Sequence, residues 1–330
     1  MRLLLLGGTE FVGRATAEEA LARGWEVTVF HRGHHEPPPG VTALHGDRGA
    51  PDGLAALGRG EWDAVVDTWS GAPRAVRDAA RLLADRVGHC AYVSSRGIYD
   101  FPVPPPLTED RPVVDGSPDD DDVDYRRAKR GGELAVTAAF GERALVVRPG
   151  LVFGPRETSR RLPWWLRRVA RGGRVLAPGP RELGLQYIDS RDLAAWVLDA
   201  AERGLGGVHN AVCPPGHATT GDLLDACAAV TGSGAELCWT APERVLAAGI
   251  RPWTDLPIWL PPGEMHELLH RTDVSKAVAA GLRCRPLAET VADTWDWLRG
   301  VDGPLSTGSL PRNDDLVGLD PLLEAQVLSG

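Results

Sequence analysis

Residues 2–13 constrain the fold more than any other stretch. The apolar run Leu3-Leu4-Leu5-Leu6 stops at Gly7-Gly8, and Thr9-Glu10-Phe11-Val12-Gly13 opens a helix. A buried strand turning on glycines into a helix suits a pyrophosphate. Gly7 permits the tight turn, Gly13 lets the helix pack against the strand, and the helix N-terminus offers free N–H groups at a positive dipole end. Gly7, Thr9, Glu10, Phe11, Val12 and Gly13 are therefore candidate dinucleotide contacts. Glu10 stands where a glycine ordinarily lets the backbone approach the phosphates, so its carboxylate must point away. The apolar run is too short for a secretory leader and reads as a buried strand.

Strands and helices alternate through the first half. Strands are expected at 3–6, 27–30, 64–67, 91–94 and 145–147, and helices at 12–23, 73–86 and 126–140. Continuous apolar strands separated by helices imply a parallel sheet covered on both faces, a doubly wound α/β domain of Rossmann type. After Gly154 arginine, proline and tryptophan become frequent and the alternation breaks, to return as a strand at 185–188 and a helix at 191–203. The expected organisation is a dinucleotide-binding domain over 1–155 and 184–211. A smaller, discontinuous α+β substrate lobe would take 156–183 and 212–300, closed by a helix at 288–298, with a C-terminal arm over 301–330. At 330 residues, two lobes are reasonable.

The formal charge of −9, with acids bunched at Asp119–Asp122 and Asp124, disfavours nucleic acid and anionic membranes as partners. The acidic run reads as a solvated loop. Five scattered cysteines without a Cys-x-x-Cys pattern read as reduced thiols of an intracellular protein, expected in the cytoplasm. No apolar stretch approaches the ~20 residues of a membrane helix. A homodimer is the candidate assembly.

Tyr125 and Lys129 are four residues apart, on one helical face. An ammonium near a phenol stabilises the phenolate and brings proton transfer closer to neutral pH. Ser95 falls at the carboxyl edge of the fifth strand, where ligands bind in such sheets. Ser95, Tyr125 and Lys129 are the candidate catalytic residues, and Lys129 can also hold the nicotinamide ribose. At the end of the second strand stand His31-Arg32 rather than an acid, and a guanidinium there can pair with a 2′-phosphate. NADP(H) is therefore favoured, with NAD(H) the alternative. Asp47 could accept from the adenine amino group.

At these residues the chain resembles the short-chain dehydrogenase/reductase superfamily, in its extended, epimerase/dehydratase-like branch. The resemblance covers roughly 1–300. It runs through the Gly7–Gly13 loop, Ser94–Tyr99, Tyr125–Lys129, Arg148–Pro155, Tyr187–Asp192 and Asp273–Ala277. It implies a Rossmann domain, a nicotinamide cofactor and a Ser–Tyr–Lys triad on Ser95, Tyr125 and Lys129, with Pro149-Gly150 flanking the nicotinamide. It also shows departures. Sugar-nucleotide epimerases of this branch place an arginine on the substrate diphosphate where this chain has Leu185. The glycine loop resembles that of atypical reductase-like members.

The expected activity is reduction of a carbonyl on a small, largely apolar metabolite, with Trp164, Trp165, Trp239, Trp253 and Trp259 offering apolar faces. Arg156, Arg160, Arg161, Arg167 and Arg168 could contact phosphate instead, so a nucleotide-sugar epimerase or dehydratase is one alternative. A non-catalytic NADP-sensing module is another. His266-Glu267-Leu268-Leu269-His270 matches a zinc-protease pattern, but the other signals favour a surface helix and no metal is expected. His31, His34 and His35 likewise read as a loop rather than a metal site.

Overall fold

A computed structural model describes residues 1–301 and 318–329. The first half runs β1 (Arg2–Leu6), α1 (Phe11–Ala22), β2 (Glu26–His31), β3 (Thr42–His45), β4 (Trp62–Asp67), α2 (Pro73–Leu83), β5 (Val87–Val93), α3 (Tyr125–Phe140) and β6 (Ala144–Pro149). It continues with β7 (Leu151–Phe153), α4 (Arg161–Ala170), β8 (Arg174–Pro178), β9 (Gly184–Leu185), β10 (Tyr187–Asp189), α5 (Ser190–Glu202), β11 (Gly207–Ala211) and β12 (Ala218–Thr219). The remainder is α6 (Thr220–Thr231), β13 (Glu236–Thr240), α7 (Pro242–Ala247), α8 (Glu264–His270), α9 (Ser275–Ala279), α10 (Leu287–Leu298) and α11 (Pro321–Ser329).

Seven strands form one sheet in the order β11-β6-β5-β4-β1-β2-β3, every pair parallel. This is the Rossmann-type doubly wound fold. Leu3, Leu5, Val27 and Val29 face one side with Trp196 and Val197 of α5, while Leu4, Leu6 and Val65 face the other with Val76 of α2 and Val136 of α3. Both faces are covered, so the strands read as continuous apolar runs rather than alternating ones. A third cluster gathers β7 and α4 with β8, α6, α10 and α11.

The expected strand at 185–188 is broken in two. Leu185 in β9 pairs antiparallel with Ala218 in β12, whereas Tyr187 to Asp189 pair parallel with β7. Gln186 marks the break, because it is fully buried and its side chain serves other segments. The acidic run is more than a solvated loop: Asp119 and Asp121 pair with Arg77 and Arg74 of α2, and Asp124 caps α3 by accepting from the Arg126 and Arg127 amides. Of the C-terminal segment expected as an arm, 302–317 and 330 lie outside the described residues. No described helix is long and apolar enough to cross a membrane.

Helix α11 is held by a buried ion pair. Arg168 Nε donates to Glu324 Oε2 at 2.6 Å and Oε1 at 2.9 Å, and the Leu176 amide donates to Oε1 at 3.1 Å. Removing one partner of a buried pair strands the other charge in a poorly polar interior. Glu324→Ala should therefore cost about 3–5 kcal/mol, read as a lower urea midpoint with intact near-ultraviolet dichroism before the transition.

Candidate active site

The first βα turn is built as the glycines require. Gly7 and Gly8 take φ of 110° and 105°, values that L side chains rarely adopt. A Cβ on Gly13 would stand 2.6 Å from the Gly8 amide nitrogen and 2.9 Å from its Cα, so only glycine lets α1 approach this closely. No side chain caps α1, which leaves its N-terminal amides for a ligand. Glu10 is directed away from the helix end toward His35, 3.4 Å from its Nε2. These features fit a dinucleotide pyrophosphate.

At the end of β2 the two candidates separate. Arg32 is exposed and forms no ion pair among the described residues. His31 is buried, its ring 4.6 Å from that of His45, and its Nδ1 accepts from the Gly33 amide at 3.2 Å. Burial, with His45 beside it, lowers its pKa. Asp47 is exposed, and its Oδ1 accepts from the Gly49 amide at 2.9 Å.

Next to Asp47 lies a group the sequence reading missed. Arg48 makes a bidentate pair with Asp67, 2.7 Å on each arm, and donates to Ala75 O at 3.0 Å. Its guanidinium also sits 5.1 Å from the Trp69 ring centre. The signal was an aspartate ending an otherwise apolar strand.

Tyr125, Ser95 and Lys129 come together at the carboxyl edge of β5. Asp124 sets Tyr125 as the first residue of α3, and Ser95 follows the strand end. The Tyr125 ring lies beside the Ser95–Gly97 turn, where the serine hydroxyl acts to lower the phenol's pKa, and Ser95 Oγ accepts from the Gly97 amide at 3.0 Å. Lys129 lies deeper, its Nζ donating to Trp69 O at 2.6 Å and Val93 O at 2.7 Å, 5.0 Å from the Tyr92 ring centre. The expected lowering of the Tyr125 pKa by Lys129 is not what this geometry gives. Burial raises the phenol, and the group opposing that rise is Ser95.

Behind the site lies a second missed network. Arg148, near the end of β6, pairs bidentately with Glu133 of α3 at 2.9 Å on each arm, and Ser94 Oγ donates to Glu133 Oε1 at 2.7 Å. Arg148 also donates to the Tyr99 hydroxyl at 3.1 Å, which donates to Asn210 Oδ1 at 2.7 Å. Pro149 ends β6 and Gly150 follows it.

Elsewhere the residues singled out for substrate are largely occupied by other contacts. Leu185 is buried in the third cluster. Trp165 and Trp259 are core residues whose Nε1 groups donate to Pro257 O and Gly179 O, so they offer no free face. Trp253 is covered by Arg161 at 4.4 Å, Trp239 carries Arg181 at 5.4 Å, and Arg168 is committed to Glu324. His266 and His270 do not form a surface helix face. Both are buried: His266 Nε2 bonds Gly184 O at 2.8 Å, and His270 Nδ1 accepts from the Gln186 amide at 3.0 Å.

A family profile described as the NAD dependent epimerase/dehydratase family matches residues 3–212. No curated protein matches the sequence. Among solved structures, UDP-glucose 4-epimerase of Thermus thermophilus in complex with NAD is 21% identical, with a TM-score of 0.60 over 91% of this chain and 100% of that one. The Bordetella bronchiseptica enzyme WbmH in complex with NAD+ is 20% identical, with a TM-score of 0.65 over 90% and 98%. UDP-N-acetylglucosamine 4-epimerase of Bacillus cereus is 14% identical, with a TM-score of 0.66 over 91% and 100%. At these identities the likeness is one of fold.

Burial pushes Lys129 down to about 7 from 10.5. Across that window the unfolded chain keeps a proton that the folded lysine has released, so stability rises with pH. Relative to Lys129→Met, the parent should gain stability from about pH 7 upward, by at most about 1.4 kcal/mol per pH unit. Urea unfolding of both proteins across the window checks this, and a flat difference refutes it.

Proposed function

Because the chain belongs to the NAD dependent epimerase/dehydratase family, we propose that it catalyses nicotinamide-dependent oxidation and re-reduction at a secondary alcohol carbon of a nucleotide sugar. The observation that carries the redox reading is the placing of Tyr125 beside Ser95 at the strand edge with Lys129 beneath it. The family assignment and the epimerases among the structural relatives support epimerisation.

The bound nicotinamide would accept and return hydride. This chain's residues do the proton work. Ser95 Oγ holds the substrate oxygen, and Tyr125 Oη, as phenolate, would take its proton on oxidation and, as phenol, return it on reduction. Desolvation opposes that phenolate in the unliganded protein, so the positive charge of the oxidised cofactor would have to supply the stabilisation the base needs. Lys129, fixed by two carbonyls, supports the cofactor side of the site. Gly7, Thr9, Phe11, Val12 and Gly13 would hold the pyrophosphate, with Pro149 and Gly150 beside the nicotinamide. Dehydration is the weaker family activity here. Elimination needs a further acid or base, yet Ser95 is followed by Arg96, turned into the interior, and Gly97.

A second reading, net reduction of a carbonyl on a more apolar metabolite, is favoured by Leu185. A buried leucine stands where the resemblance would put a diphosphate-binding arginine. For the cofactor, the exposed Arg32, in no ion pair among the described residues, supports NADP(H) through its 2′-phosphate, against the NAD named for the family and held by its relatives.

Protein loaded with NAD+ or NADP+ should invert a hydroxyl in a panel of UDP-sugars, followed by proton NMR, with no net change in reduced cofactor. Stoichiometric NAD(P)H consumption with a carbonyl panel instead would select the reductase, and turnover in neither assay would leave only the binding module. Whichever reaction is observed, Tyr125→Phe should slow it by about 10²–10⁴-fold with cofactor affinity retained. Calorimetry should find tighter NADP(H) than NAD(H), and Arg32→Ala should erase that gap. A preference for NAD in the parent protein removes Arg32 from the site.

A further inference from the structure

Four arginines are buried among the described residues: Arg48, Arg96, Arg148 and Arg168. Three of them face a carboxylate, Asp67 at 2.7 Å, Glu133 at 2.9 Å and Glu324 at 2.6 Å. Arg96, only 3% exposed, pairs with none among the described residues. Its Nη1 donates to Leu269 O at 2.8 Å and to Thr272 Oγ1, and its Nε is buried without an acceptor. Burial pushes its pKa down to about 10. A cation desolvated among neutral acceptors is costly to keep, and this one directly follows Ser95.

What Arg96 rests against accounts for it. A Cβ at Gly150 would collide with Nη2, Cζ and Nε of Arg96. The guanidinium occupies the volume that a side chain at 150 would need. Its Nε–Nη2 edge lies against the bare Cα of the glycine. One planar group thus meets three parts of the chain: the Ser95 loop, the end of β6 at Pro149-Gly150, and the last turn of α8. A helix C-terminal carbonyl is a favourable neighbour for a cation. From Thr272 the contacts continue inward. Its amide donates to Gln186 Oε1 at 2.7 Å, and Gln186 Nε2 donates to Thr272 O at 3.0 Å and Cys213 O at 2.9 Å.

We propose that Arg96 and Gly150 form a positioning pair, in which the guanidinium, seated in the space left by the glycine, sets the spacing between Ser95, the segment flanking the nicotinamide and the 269–272 segment. Arg96 acts through its neighbours. The inference rests on the proposed roles of Ser95 and Gly150, and its first test needs no substrate.

That test is a double-mutant cycle on Gly150→Ala and Arg96→Ala, read by calorimetric titration with NADPH and NAD+. With Arg96 present, Gly150→Ala should weaken the tighter cofactor about tenfold or more; in the Arg96→Ala background the same change should cost less than about threefold, because the collision is gone. Equal losses in both backgrounds overturn the pairing. If Arg96→Ala does not fold, Arg96→Met takes its place in the cycle. In protein labelled with ¹⁵N-arginine, Gly150→Ala should shift the Nε–H resonance that Arg96→Lys removes, and an unmoved resonance overturns the contact. The second test uses whichever reaction the UDP-sugar or carbonyl panel reveals. Arg96→Ala should lower kcat about tenfold with substrate KM within about threefold, and Arg96→Lys should recover part of the loss. A folded, cofactor-binding Arg96→Ala with parental kcat overturns the role at Ser95. The cofactor cycle stands apart from the functional reading, so the two can fail separately.

Discussion

The ion pair between Glu133 and Arg148 is the constraint on which the site depends. It ties the middle of α3 to the end of β6 through two arms at 2.9 Å, and the same carboxylate accepts from Ser94. Helix α3 carries Tyr125 one turn before Lys129, and Glu133 one turn after it. Fixing Glu133 therefore fixes the rotation of α3 about its axis. That rotation determines whether the phenol meets Ser95 and whether Nζ reaches the carbonyls of Trp69 and Val93. A buried pair is a weak source of net stability, but it tolerates few alternative arrangements. Its contribution here is to the register of helix against strand, which a purely apolar contact would leave looser.

Much of this was legible in sequence because the signals were local. The strand, glycine turn and helix lie within twelve residues, and Tyr125 and Lys129 share a helix face at a spacing fixed by backbone geometry. The parallel order of the sheet followed from apolar strands without alternation. The electrostatic scaffold was not legible. Arg48 and Asp67, Glu133 and Arg148, and Arg168 and Glu324 become partners only when distant segments meet, and nothing in the spacing of either member announces the other. Arg168 shows the hazard. In the sequence it is one of a run of candidate phosphate contacts, yet its guanidinium is buried against a helix at the far end of the chain. The tryptophans misled for a related reason. An indole marks a large apolar area to be covered, and composition cannot say whether protein or ligand covers it. For Trp165 and Trp259 it is protein.

The division between the proposed redox centre and substrate specificity follows the same line. The proposed proton-transfer groups stand on strand ends and a helix start, where the sheet dictates position. The segments that would choose a substrate come from short strands and loops after Gly154, where the main periodicity is lost. Leu185 illustrates the consequence. Its burial follows from pairing with β12, and the chain gives over to packing a position that the resemblance assigns to ligand recognition. Family membership thus predicts the chemistry more closely than it predicts the molecule on which that chemistry acts.

Strand β11 has a consequence for how the protein is made. It pairs in parallel with β6, from Gly207 on Leu145 to Ala211 on Pro149, and between them lies the excursion through β7, α4, β8 and α5. A nascent chain that has already laid down β1 to β6 cannot complete its sheet until residue 211 has left the ribosome. Through that interval the outer edge of β6 presents unpaired amides and carbonyls beside an apolar face, the kind of surface that recruits other strands. The last strand of the sheet is also the seal on its edge, so the risk of misassembly is concentrated in the time taken to synthesise residues 150–211.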